Sequence, residues 1–212
     1  MAKKTVRTGL IGAGFSAAFH YEALQKVAGV DVDVVGVYAR TPQRAAAFAQ
    51  KCGIRYFDRL EALLEAVDVV HICTPPYAHT ALAIAALEQN KHVICEKPLT
   101  GYFGDGSADF HWDRADMELA RSEAMEKVQQ LLEAEARSQA RLFYAENWIY
   151  APSIQKEREI LEKTGGQILW MHGEEAHSGS HSVDYAYAAR CGGGVLIGKG
   201  CHPLTAALYL KR

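Results

Sequence analysis

No apolar run in this chain approaches the ~20 residues needed to cross a bilayer, and no pair of cysteines stands in C-x-x-C spacing. The first absence argues against a membrane protein. The five cysteines (52, 73, 95, 191 and 201) are odd in number and scattered, and those in "VVHICTPP" and "HVICEKP" read as buried free thiols. Charge of one sign is also missing: 23 Lys+Arg stand against 25 Asp+Glu, a net −2, which gives no bulk attraction to nucleic acid or to an anionic membrane surface. Internal repeats and low-complexity tracts are absent. The opening "MAKKTVRTGLIGAGF" puts three glycines in its apolar stretch and runs into a helical pattern, not a small-residue cleavage site, so it does not read as a signal peptide. A reducing, cytoplasmic location is the expectation.

What is present is an alternation. Short Val/Ile-rich runs at 5–14, 31–39, 67–74 and 91–98, and a weaker one at 140–148, are separated by Ala/Leu-rich helical patterns. "DRLEALLEA" (58–66) adds one more helix. Strands without polar alternation are buried on both faces, as happens when helices cover both sides of a parallel sheet. The chain is therefore expected to open with a doubly wound α/β domain over residues 1–148. Residues 99–117, rich in glycine, aspartate and aromatic side chains, read as a loop or flap, and a long helix follows at 118–140. Beyond the boundary, 153–166 is a helix and "QILWMHGEEAH" (167–177) is strand-like. Residues 149–212 are read as the start of a second, α+β domain for substrate and subunit contacts, apparently incomplete.

Gly12-x-Gly14-x-x-Ala17 directly follows the first strand and opens the first helix. Gly12 permits a tight turn, Gly14 removes a Cβ that would block a pyrophosphate, and Ala17 allows close helix–strand packing. The helix end, at Phe15, then offers amides and a positive dipole end to phosphates. After the second strand, where an acid usually holds the ribose hydroxyls, the chain reads "ARTPQR", with Arg40 and Thr41 in its place. That pair suits a 2′-phosphate, although Arg40 could equally be solvated or stacked on adenine. The cofactor expectation is NAD(P), with a slight preference for NADP. "HVICEKP" sets Glu96 and Lys97 at the carboxyl end of a buried strand, the edge where ligands of open α/β sheets bind. A partly desolvated lysine beside a cationic nicotinamide could exchange a proton with a substrate hydroxyl.

Taken together, "GLIGAGFSAAFH", "CTPPYAH" (73–79), "CEKPLT" (95–100), "NWIYAPSIQK" (147–156) and "GGGVLIGKGCHPL" (192–204) resemble, in order and spacing, the glucose–fructose oxidoreductase/inositol dehydrogenase/MocA-like (Gfo/Idh/MocA) oxidoreductases. The resemblance implies a Rossmann-type domain followed by an α/β domain on a large sheet. It also implies an NAD(P)-dependent oxidoreductase acting on hydroxyls of sugars, cyclitols or related polar small molecules. By the same resemblance Lys97 moves a proton, His202 lies beside the substrate oxygen, and Glu96 supports Lys97 or the cofactor ribose. Thr74, Pro75 and His79 then belong to the strand-end loop near the cofactor. Where the family usually carries an aspartate four residues before this histidine, Gly198 stands. Residues 198 and 202 would share a helix face, so His202 is expected to lack its carboxylate partner. Lys199 could bind an anionic or strongly polar substrate group, or point to solvent.

The family's second domain continues well past this histidine, so the chain reads as a piece of a longer protein, expected to be a homo-oligomer (dimer or tetramer) when complete. His177 and His181 could line the substrate pocket. A zinc site there is disfavoured because Ser-Gly-Ser interrupts any helix between them, and no metal is expected. The alternative function is a non-catalytic NAD(P)-binding sensor of the same fold.

Overall fold

The structure, a computed structural model, describes residues 4–211 apart from 108, 177, 180 and 181. In chain order its elements begin with β1 (Thr5–Ile11), α1 (Phe15–Leu24), β2 (Asp31–Tyr38), α2 (Pro42–Cys52), β3 (Arg55–Tyr56), α3 (Leu60–Ala66), β4 (Val69–Ile72), α4 (His79–Glu88), β5 (His92–Cys95), α5 (Met117–Arg137) and β6 (Leu142–Tyr144). The strands form a single sheet in the order β3-β2-β1-β4-β5-β6, with all five pairings parallel. The order reverses between β1 and β4, and the crevice beyond their carboxyl ends is where such sheets hold ligands.

Adjacent side chains on β1 show why both faces must be apolar. Leu10 packs with Val37, Phe48 and Ala49 under α1 and α2. Ile11, pointing the other way, packs with Leu63, Leu64, Leu87, Val93 and Leu131 under α3, α4 and α5. β3 is too short to show a pattern in the sequence. It pairs with β2 because Gly36 has no side chain: a Cβ there would lie 2.4 Å from the Arg55 carbonyl and 2.5 Å from the Phe57 ring.

After a turn at Trp148–Tyr150 the elements are α6 (Pro152–Thr164), α7 (Ala188–Cys191), α8 (Gly194–Gly198) and α9 (Cys201–Lys211). The strand expected at 167–177 does not form over its described residues, 167–176. Leu169 and Trp170 are 95% and 77% exposed, so the apolar face that gave the pattern has no neighbouring strand to pair with. Met117 already begins α5, and the segment 99–116 is, over its described residues, irregular apart from a short helical turn at Trp112–Arg114. Its rings of Tyr102, Phe110 and Trp112 pack edge-on against each other at 5.4–5.7 Å.

The glycine run docks on this loop. The Tyr102 amide donates to the Gly192 carbonyl at 3.1 Å, and a Cβ on Gly101 would lie 2.1 Å from that oxygen. Within the run, the expectation that 198 and 202 share a helix face is corrected. α8 ends at Gly198 and α9 begins at Cys201, because the chain turns sharply at Gly200, whose missing Cβ would lie 2.5 Å from the Leu196 carbonyl.

Two stability measurements follow. Asp116 caps α5, its Oδ1 accepting from the amides of Glu118 (2.9 Å) and Leu119 (3.1 Å). Asp116→Ala should cost about 1 kcal/mol in a denaturant titration. His71 on β4 is only 6% exposed, and burial, with the nearby His20, pushes its pKa from 6.5 down to about 3. Across that window the unfolded chain binds a proton that the folded one refuses. Folding stability should therefore fall with falling pH, by up to ~1.4 kcal/mol per pH unit. His71→Gln should make the slope measurably shallower.

Candidate active site

The turn after β1 is built around two glycines with different duties. Gly12 has φ +114°, and a Cβ on it would lie 2.5 Å from the Cys73 carbonyl at the end of β4. Only glycine lets the two strand ends approach this closely. Gly14 has an ordinary extended conformation, and a Cβ on it would meet nothing within 4 Å. Its lack of a side chain therefore leaves open space directly over the α1 N-terminus. No side chain caps that end and its first turn carries no acid. Ala17 is fully buried beneath it, while Phe15 is largely exposed at the rim. Across the crevice the Thr74 hydroxyl is buried with no hydrogen-bond partner among the described residues. An uncapped helix end, an open approach and an orphaned hydroxyl fit a dinucleotide pyrophosphate.

At the far end of the crevice Arg40 donates to the Tyr77 hydroxyl at 2.7 Å, with Thr41 at the N-cap position of α2. Pro75 precedes the turn that carries Tyr77. His79, expected at the cofactor, is corrected to a brace. It is fully buried, with Nδ1 2.8 Å from the Pro98 carbonyl and Nε2 2.9 Å from that of Thr74. Desolvation lowers its pKa, and each ring nitrogen faces a backbone carbonyl, so the ring is turned to the backbone of two loops.

Beyond β5, Glu96 is enclosed. Burial alone would raise its carboxyl pKa, but the hydrogen bond and charge of His20, with the Lys97 amide, outweigh this and hold it below the usual range. His20 Nε2 donates to Oε1 at 3.0 Å, and the Lys97 amide donates to Oε2 at 3.0 Å. The Lys97–Pro98 bond is cis. The Lys97 ammonium donates to the Gly198 carbonyl at 2.9 Å and sits 5.7 Å from the ring centre of Tyr185. Burial, with the Glu96 charge, pushes the Tyr185 hydroxyl up to about 12.

The opposite wall carries the outcome that sequence reasoning missed. His202, 6% exposed, is not without a carboxylate: its Nδ1 donates to Oε1 of Glu146. Glu146 follows β6, itself 3% exposed, and its other oxygen is buried without a partner among the described residues. Trp148 packs on the histidine ring at 5.8 Å. The available signal was position, since Glu146 lies just past the carboxyl end of a strand, as Glu96 does. Lys199 neither points freely to solvent nor stands alone, its ammonium lying 3.4 Å from Glu175. The second oxygen of Glu175 is also buried without a partner among the described residues. The charges of Lys97, Glu146 and Glu175 all bear on the Cys201 thiol, whose pKa burial raises, so the three stand near one another about Cys201. His177 lies outside the described residues.

Among the described residues, no group of three or more His, Cys, Asp or Glu side chains is placed to hold a metal ion. No helix among them is long and apolar enough to cross a membrane.

Comparison with known proteins agrees with this geometry. Residues 6–110 match the Gfo/Idh/MocA family model, described as an oxidoreductase family with an NAD-binding Rossmann fold. Glucose-6-phosphate 3-dehydrogenase of Bacillus subtilis is 34% identical over 93 residues, 44% of this chain and 26% of the relative. The dTDP-3,4-didehydro-2,6-dideoxy-alpha-D-glucose 3-reductase of Streptomyces antibioticus is 28% identical over 211 residues, 99% of this chain and 58% of that enzyme. An NAD-binding protein from Listeria innocua superimposes with a TM-score of 0.72 at 27% identity, covering 98% of this chain and 55% of the other. The chain thus spans between about a quarter and somewhat more than half of these relatives' own lengths. With the glycine turn, the strand-end Glu-Lys-Pro and the reversed sheet order in place, the chain belongs to the Gfo/Idh/MocA family of NAD(P)-binding oxidoreductases.

Proposed function

We propose that the protein binds NAD(P) along the crevice above β1 and β4 and, as part of its complete enzyme, interconverts a hydroxyl and a carbonyl on a sugar, cyclitol or similarly polar small molecule. The observation that carries this reading is the proximity of Lys97 and the His202–Glu146 pair at the carboxyl edge of the sheet: Lys97 reaches the Gly198 carbonyl, and both Lys97 and Glu146 lie close to Cys201, the residue beside His202. The relatives described above, a dehydrogenase and a reductase of sugar derivatives by name, support the substrate class.

The Gly12–Ala17 turn and Thr74 would hold the pyrophosphate, with Phe15 and Pro75 at the rim. Arg40 and Thr41 would receive the adenosine ribose and, with a slight preference, its 2′-phosphate. The bound nicotinamide supplies the hydride acceptor or donor. As its neutral amine, Lys97 would take the proton from the substrate hydroxyl on oxidation, and as the ammonium it would return one to the forming alcohol on reduction. Because Glu146 occupies Nδ1 of His202, Nε2 is the nitrogen left to orient the substrate oxygen. The oxygens of Glu146 and Glu175 that have no partner among the described residues accept from neighbouring substrate hydroxyls, and Lys199 keeps Glu175 in place. Glu96 anchors the Lys97 turn, and His177 belongs to the same substrate region.

Gly14→Ala separates binding from folding. The added methyl meets no protein atom, so the melting temperature should move by no more than about 2 °C. NAD(P)H affinity, read by fluorescence titration, should fall at least about tenfold because the methyl occupies the phosphate approach. In the full-length protein, turnover with a panel of sugars and cyclitols should vanish in Lys97→Met while cofactor binding persists. Glu146→Gln should lower kcat by about tenfold or more through loss of the carboxylate that orients His202. A wild-type protein that binds NAD(P)H yet turns over none of the panel would replace this reading with that of a cofactor sensor.

A further inference from the structure

The buried pair His20 and His71 lies behind the candidate site, and the mechanism above does not use it. His20 stands on α1, the helix that opens at the cofactor turn, and His71 on β4. Their Nδ1 atoms are 2.8 Å apart, with rings edge-on at 5.1 Å. On the other side of the same imidazole, Nε2 is 3.0 Å from Glu96 Oε1, and the second oxygen of Glu96 accepts the Lys97 amide. The side chains of His20 and Glu96 are 12% and 18% exposed.

Counting protons leaves few states. Glu96 is held as the carboxylate, an acceptor only, so Nε2 of His20 must carry a proton. Two ring nitrogens 2.8 Å apart need one proton between them. His71, neutral through burial, either donates it from Nδ1 or accepts it from a charged His20. In both arrangements His20 donates to Glu96, and His71 holds the imidazole in the orientation that lets it do so.

We propose that His20 is a positioning residue: through Glu96 it ties the backbone of Lys97 to the helix that begins at the dinucleotide turn, so that the proton-transferring side chain and the cofactor cradle keep one fixed geometry. The proton-transfer role of Lys97 rests on the function proposed above; the tie itself rests only on the described hydrogen bonds. A displacement of about 1 Å at a reacting group can cost on the order of a hundredfold in rate, so a device that spans helix and strand-end turn has a use beyond simple packing. A buried histidine pair serving stability alone would also bridge α1 and β4, but it would have no need of the second ion–amide link to Lys97.

Two amide substitutions separate the two ends of the imidazole. His20→Gln places an N–H near the former Nε2 and keeps the Glu96 bond while loosening the His71 one. His20→Asn reaches only the Nδ1 position and loses Glu96. The Lys97 amide proton, followed by ¹H–¹⁵N NMR on the full chain, should stay at its carboxylate-bonded shift in His20→Gln and move upfield in His20→Asn. In the turning-over enzyme, His20→Asn should lower kcat roughly ten- to hundredfold with the KM for cofactor changed less than about threefold, and His20→Gln should recover most of that loss. If neither variant folds, long-range ¹H–¹⁵N correlation on the wild-type histidines decides the matter, by finding His20 Nε2 protonated or bare. A bare Nε2, or a Lys97 amide indifferent to both substitutions, overturns the proposal. Absence of turnover with an intact NMR response would instead count against the proposed function and leave the tie standing.

Discussion

The close approach of two strand ends at Gly12 governs the rest of the molecule. Where β1 and β4 leave the sheet, the Gly12 α-carbon faces the Cys73 carbonyl at a distance that no side chain could share. The reversal of strand order at this point sends the neighbouring connections to opposite faces, and the crevice between them opens directly above the α1 helix end. Any residue larger than glycine would push the strand ends apart, shifting the helix end and Thr74 together. The cofactor cradle is therefore a property of sheet geometry as much as of any polar group.

Around that crevice a single device appears twice. A glutamate just past a parallel strand end, Glu96 after β5 and Glu146 after β6, holds a histidine delivered by a helix from elsewhere in the chain. In each case the carboxylate is largely removed from water, where a lone charge would be costly, and the imidazole N–H compensates it. One oxygen of each pair serves the histidine. At Glu96 the other is spent on the Lys97 amide; at Glu146 it has no partner among the described residues. The closed pair is suited to holding a turn still, and the open one to meeting a ligand. The contact of Lys97 with the Gly198 carbonyl then bridges the β5 turn and the glycine run.

Much of this was legible in the chain itself. Runs such as "VVHI" and "HVIC" have no polar alternation, and burial on both faces follows directly, as does the doubly wound sheet. The Gly12/Gly14 spacing and the strand-end Glu-Lys-Pro identify the binding edge without coordinates. Less was legible where a residue's partner is remote in sequence. His79 reads like a residue of the strand-end loop near the cofactor, yet it is fully buried with each ring nitrogen facing a backbone carbonyl. The apolar alternation at 167–176 reads like a strand, yet a strand exists only where a neighbour supplies the other half of the ladder. Gly198 reads like a missing carboxylate, yet Glu146 brings one from the end of β6.

The sequence by itself determined the parallel sheet and the glycine turn at the carboxyl end of its first strand, because hydrophobic period and backbone permissiveness are local properties of the chain. Only the tertiary structure decided which carboxylate meets which histidine, that Lys199 is matched by Glu175, and that Lys97 reaches the glycine run. Those pairings depend on directions in space between elements far apart in sequence, and the order of residues along a chain does not carry such directions.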